Sequence, residues 1–125
     1  MKLNKFISYV AMVTILTPSF ASADDLARGK ELYNGVGACF SCHGTEGKGD
    51  GAAAAALNPK PVSFASGAFK YDTDKDGKTG TEADIANVIG QGAMAFGGSP
   101  LMAARSDISE ADRHALAKYV LSLKK

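Results

Sequence analysis

Apolar positions along the chain fall into three helical stretches separated by long polar, glycine-rich intervals. Residues 24–34 carry Leu26, Lys30 and Tyr33 among helix formers, with Asp24 and Asp25 at the start, where the helix dipole favours negative charge. Gly35 and Gly37 are expected to end this helix. Thr81, Glu82, Ala83 and Asp84 form a capping box, followed by Ile85, Val88 and Ile89 at i, i+3 and i+4. Gly90 and Gly92 are expected to close that second helix. Ser109 with Asp112 reads as another capping box, opening a last helix with Leu116, Tyr119, Val120 and Leu123 on one stripe. Lys118, Lys124 and Lys125 suit its C-terminal end. Residues 44–80 are expected to be largely irregular, with a short helical turn over 52–57. No repeat, no period-two strand and no linker interrupts the pattern, so the expectation is one all-α domain.

The first residues stand apart from that domain. A short basic start with Lys2 and Lys5, an apolar run over residues 6–16 broken by Ser8 and Thr14, and the small residues Ala21, Ser22 and Ala23 form a secretory signal peptide pattern. Cleavage is expected before Asp24, giving a signal peptide over 1–23 and a domain over 24–125. The apolar run is well short of the roughly 20 residues that span a bilayer, so stable membrane insertion is not expected. Export places the domain in the periplasm.

Loss of Lys2 and Lys5 turns a formal net charge of +1 into −1. A near-neutral surface argues against nucleic acid as partner. All 14 glycines lie after residue 23, many of the aliphatic residues are alanine, and a chain this small buries only a modest core by itself. A long irregular stretch such as 44–80 also argues against a compact domain, unless loops can pack against a flat cofactor. Something beyond side chains is expected to complete the interior.

Cys39, Phe40, Ser41, Cys42 and His43 indicate what that is, because a Cys-x-x-Cys-His run is a c-type haem attachment signature. Two thiols three positions apart on a helical turn can add to the two vinyl groups of one haem, and the next histidine lies on the same face to reach the iron. A thioredoxin-like redox pair would need a preceding strand, and the flanks here are glycine-rich. A structural zinc site needs four ligands, and only His114 stands outside the motif. A disulfide across so short a loop would stabilise little.

Gly29 and Tyr33 in the first helix, the run from Cys39 to His43, and Leu116 and Tyr119 in the last helix together resemble a class I cytochrome c of the bacterial monohaem type. The likeness spans essentially the whole chain after residue 23. It implies the small all-α class I cytochrome c fold, with first and last helices crossing and helices and loops wrapped around one covalent haem c held by Cys39 and Cys42. It implies His43 as proximal iron ligand and a methionine sulfur as distal ligand. Met102, seventeen positions before Tyr119, matches the usual separation, and Met94 is the second choice. Both are followed by alanine where the family commonly has proline. The carbonyl of a loop proline, Pro59 or Pro61, is implied as acceptor for the His43 ring N–H.

His114 lies two residues before Leu116, on a different helical face, and is expected at the surface. Asp72, Asp74, Asp76 and Gly77 open like an EF-hand calcium loop, but position twelve is Ala83 where a bidentate Glu is needed, so a polar turn is expected. The function expected is a monomeric, non-enzymatic single-electron carrier docking transiently at its haem edge with periplasmic or membrane redox proteins. Two alternatives stand beside it: a haem subunit of a larger oxidoreductase complex, and a ligand-binding or catalytic haem protein with a labile sixth position.

Overall fold

A computed structural model describes residues 10–15 and 22–125. Four helices follow in order, α1 (Ala23–Asn34), α2 (Phe40–His43), α3 (Glu82–Gln91) and α4 (Glu110–Ser122), with 3₁₀ turns at Ala54–Ala56 and Ala93–Phe96. No strand occurs among the described residues, and no described helix is long and apolar enough to cross a membrane. Most of the expected signal peptide, residues 1–9 and 16–21, lies outside the described residues. Residues 10–15 have no regular structure, and Val10, Met12, Val13 and Ile15 are all exposed.

The helix ends follow from local chemistry. Ser22 caps α1 by accepting a hydrogen bond from the Asp25 N–H at 3.2 Å, so the helix begins one residue before its expected start. Thr81 and Asp84 form both halves of the capping box on α3. The second expected box forms only by half: Ser109 accepts from the Asp112 N–H at 3.2 Å, while the Asp112 carboxylate turns away to take a bidentate pair from Arg28 of α1 at 2.9 and 3.0 Å. Gly90 does not end α3, which runs to Gln91 and is closed by Gly92 at φ +80°. Gly90 instead makes room for a side chain of α4, since a Cβ there would stand 2.9 Å from Arg113 Nε.

Helices α1 and α4 cross, and α3 packs against α4. The crossing requires a bare backbone at position 29, because a Cβ on Gly29 would meet the Ala115 carbonyl oxygen and stand 2.7 Å from Tyr119 Cβ. Tyr33 and Leu116 are fully buried beside that contact, and the Tyr33 ring meets Tyr119 edge to face with centroids 5.3 Å apart. Lys118 does not serve the end of its own helix; it reaches Asp25 at the start of α1, at 2.7 Å. Leu32, Ile85, Ile89, Ile108, Leu116 and Val120 form one cluster that joins α1, α3 and α4.

Gly29→Ala is therefore expected to destabilise the fold by about 2 kcal/mol or more, the cost of overpacking a contact with no room to give. Urea unfolding monitored by circular dichroism measures it, and an unchanged midpoint would show that the crossing relaxes.

Candidate cofactor site

Helices α2, α3 and α4 and the irregular segments line a cavity of about 480 Å³, a volume in the range of cofactor and ligand pockets. Phe64, Phe69, Ile85, Val88, Ile89 and Leu116 make much of its wall. Cys39, Cys42, His43 and Met102 line it as well. The cavity thus brings a methionine from late in the sequence to a cysteine motif near its start.

Helix α2 is a single turn, too short to stand alone, so its hydrogen bonds show what holds it. The Cys39 N–H donates to the Tyr33 carbonyl at 3.0 Å, which ties the turn to the end of α1. The carbonyls of Ser41, Cys42 and His43 accept from the N–H groups of Ala53, Gly51 and Gly49 at 2.9, 3.0 and 2.8 Å. Gly51 has to be glycine, since a Cβ there would lie 2.6 Å from the Phe40 carbonyl oxygen. Tyr33 Oη donates to the Gly44 carbonyl at 2.6 Å, fixing the exit of the turn. Ala38, directly before the first cysteine, sits at φ +48°, a left-handed conformation that costs an L-residue about 1–2 kcal/mol.

His43 is oriented from two sides. Its Nδ1 lies 3.1 Å from the Val62 carbonyl oxygen, which places the ring proton on Nδ1 and leaves the Nε2 lone pair free. Its ring stacks on Phe64, centroids 4.3 Å apart and planes 22° apart. Neither expected proline supplies the acceptor. The Pro61 carbonyl faces Gly49 instead, 2.6 Å from where a Cβ would stand, and the next carbonyl in the chain meets the imidazole. Burial pushes the His43 pKa down, against the Val62 hydrogen bond, which favours the neutral ring, the form that ligates a metal. Burial likewise pushes the Cys39 thiol up, against the opposing field of Arg105.

The two methionines part company. Met102 is partly buried, packs against the core cluster and lines the cavity. Met94, in the 3₁₀ turn Ala93–Phe96, is 69 % exposed and is not on the wall. Helix α3 and the turn after it place Met102: its carbonyl accepts from the Ala93 N–H at 3.0 Å, and three residues on the Arg105 N–H donates to the Ile89 carbonyl at 2.8 Å. His114 is away from the cavity wall, with Nδ1 2.7 Å from Glu82 Oε1 on α3.

The acidic turn is used internally. Ligand atoms of Asp72, Asp74 and Asp84 lie within 4.8 Å of one another, yet Asp72 accepts from the N–H groups of Asp76 and Gly77, and Asp74 from that of Asp76. Asp84, only 1 % exposed, accepts four hydrogen bonds, from N–H and Oγ1 of Thr73 and of Thr81. Burial works to raise its pKa, and the four donors outweigh that and hold it below the usual carboxylate range.

The expected residues Cys39, Cys42, His43 and Met102 are brought together, with Pro59 and Pro61 beside them on the wall. Val62, Phe64, Arg105 and the backbone donors of Gly49, Gly51 and Ala53 are not among the expected residues. Backbone groups carry no residue signature, and Phe64 and Arg105 acquire their roles only through the path of the loops.

An all-α chain whose Cys-x-x-Cys-His turn opens onto an apolar cavity belongs to the class of c-type haem proteins. Residues 26–124 match the family Cytochrome c, and the chain belongs to that family. With membership come a covalently bound c-type haem and haem-based electron transfer. Among solved structures the chain is similar to one in the reducing HAO-like protein complex of Kuenenia stuttgartiensis, at 27% identity and a TM-score of 0.68. That match covers 90% of this chain and 50% of the other, so this chain spans about half its length. No match is found among curated proteins.

The Asp84 arrangement gives a pH dependence with a definite sign. A carboxyl whose folded pKa lies below its unfolded value stabilises the fold above the unfolded pKa, and that contribution is lost as pH falls through the folded one. Asp84→Asn is expected to cost about 2 kcal/mol at neutral pH, and the gap from the parent should narrow as pH drops below the usual carboxylate range. Urea unfolding between neutral pH and about pH 3 checks this; a gap independent of pH would show that the charge is not what the two threonines hold.

Proposed function

We propose that this chain is an exported carrier of single electrons, holding one c-type haem through Cys39 and Cys42 with His43 and Met102 as the axial ligands. The observation that carries the proposal is that one apolar cavity gathers both thiols, the oriented imidazole and one of the two candidate methionines. The bound haem supplies one-electron exchange between ferric and ferrous iron. The chain's own residues do the rest. The Val62 carbonyl holds the Nδ1 proton, so His43 offers a neutral nitrogen in a fixed plane set by Phe64. A thioether from Met102 raises the reduction potential relative to a second histidine. The largely apolar walls limit reorganisation when charge changes. Partners are periplasmic or membrane redox proteins meeting the side formed by Cys39 and the Met102 loop through a small, short-lived interface.

Export fits the N-terminal pattern, and Val10, Met12, Val13 and Ile15 are exposed to solvent. Cleavage after Ala23 would remove the Ser22 cap, while Asp24 and Asp25 remain in the first turn to offset the new terminal charge.

One observation favours a second reading. The similar chain from Kuenenia stuttgartiensis belongs to a reducing HAO-like complex, which supports a role as the haem subunit of a larger oxidoreductase with one fixed partner. Ala103 in place of proline after Met102 supports a third, in which the sixth position is labile and admits a small ligand.

Optical spectra of periplasmically expressed protein decide among these. The near-infrared band of methionine sulfur on ferric haem is expected in the parent and in Met94→Ala, and lost in Met102→Ala. A parent that lacks the band and binds carbon monoxide readily would replace the carrier with the labile-site protein. Co-purification with a stoichiometric partner would favour the subunit.

A further inference from the structure

Residues 97–108, which carry Met102, and residues 35–39, which lead into the first cysteine, come from distant parts of the chain. Among the described residues, every hydrogen bond between these segments comes from one guanidinium. Arg105 Nη1 donates to the Gly37 carbonyl at 2.8 Å and Nη2 to the Val36 carbonyl at 3.0 Å. Nε and Nη2 also pair with Asp107, both at 2.9 Å, which holds the fork in one orientation. The backbone of the same residue is fixed separately, its N–H on the Ile89 carbonyl of α3. Arg105 thus joins three pieces of the cavity: the C-terminal half of α3, the segment bearing Met102, and the loop that enters α2.

The loop it grips is under constraint. Ala38 follows Gly37 at φ +48° and precedes Cys39. Bonds to the two carbonyls before it fix the backbone where its path is least favoured. Methionine offers a weak, flexible sulfur, so whether it stays at a metal depends on how firmly its segment is held. Arg105 itself lines the cavity, so shortening or replacing it acts on both segments at once.

We propose that Arg105 is a positioning residue, a clasp that sets the Met102 segment against the loop entering the Cys39–His43 turn and so keeps the sulfur at the sixth position. The proposal rests on the assignment of Met102 as distal ligand. Loosening the clasp leaves the fold's helical frame intact, since Arg105 takes no part in the α1–α4 crossing. It shifts the competition at the sixth position toward any outside ligand.

Exogenous imidazole, titrated into the ferric holoprotein, reads that competition. In Arg105→Gln, imidazole is expected to bind at least about tenfold more tightly than in the parent, as both charge-assisted bonds to the loop carbonyls are removed, with a weakened near-infrared sulfur band. Arg28→Gln is the control: it breaks the bidentate pair with Asp112 between α1 and α4, and should lower the melting temperature while leaving imidazole affinity and band unchanged. Unchanged affinity and band in Arg105→Gln would overturn the proposal, as would an equal gain in Arg28→Gln. If Arg105→Gln yields no holoprotein, Arg105→Lys, which keeps the charge but loses the fork, is read the same way: a raised affinity supports the clasp and an unchanged one overturns it. A parent without the sulfur band would remove the Met102 assignment and this proposal with it, whereas a parent with the band and unresponsive variants removes the clasp alone.

Discussion

The fold depends on the apolar surface turned toward one cavity. Phe64, Ile85, Ile89, Ile108, Leu116 and Val120 belong both to the core cluster and to the cavity wall. What the cavity binds is therefore the continuation of the hydrophobic core, and cofactor binding and folding draw on the same surface. For a domain of this size, with glycine and alanine in so many positions, that shared surface is a large part of what is available to stabilise it. The irregular course of residues 44–80 has the same origin, because these loops pack around a cavity rather than against a second layer of helices.

Against this background the helical frame is economical. Gly29 lets α1 and α4 approach to backbone contact, and Tyr33 at that crossing extends its hydroxyl to the Gly44 carbonyl. The crossing and the single turn of α2 are thereby one mechanical unit. The imidazole plane is set by a carbonyl and a ring from the following loop, and Met102 is set by α3 and the turn after it. Each candidate ligand is held by a different element, so redox behaviour depends on the registry of segments that only tertiary contacts bring together.

Much of this was legible in the sequence. Periodicity and capping residues located α1, α3 and α4 to within a residue or two, and the spacing of Cys39, Cys42 and His43 pointed to the chemistry. The departures share one physical cause, tertiary partners that compete for a side chain or backbone group. Asp112 leaves its capping box because Arg28 offers a bidentate pair; Gly90 lies inside α3, where its missing side chain leaves space for Arg113 rather than ending the helix. The His43 acceptor is Val62 rather than a proline because the Pro61 carbonyl faces Gly49. Between Met94 and Met102, family spacing favoured the residue that lines the cavity, yet nothing local distinguished them: burial did. Arg105 was invisible for the same reason, since its carbonyl partners stand 68 and 69 positions away.

That the covalent group completes the core is tested most directly by thermal unfolding followed by far-ultraviolet circular dichroism. The chain expressed with haem attachment is compared with the same chain carrying Cys39→Ala and Cys42→Ala without it. A cooperative transition is predicted for the first, and little helix with no cooperative transition for the second. Equal helix content and equal melting temperatures would contradict this, and would mean that the side chains alone sustain the fold.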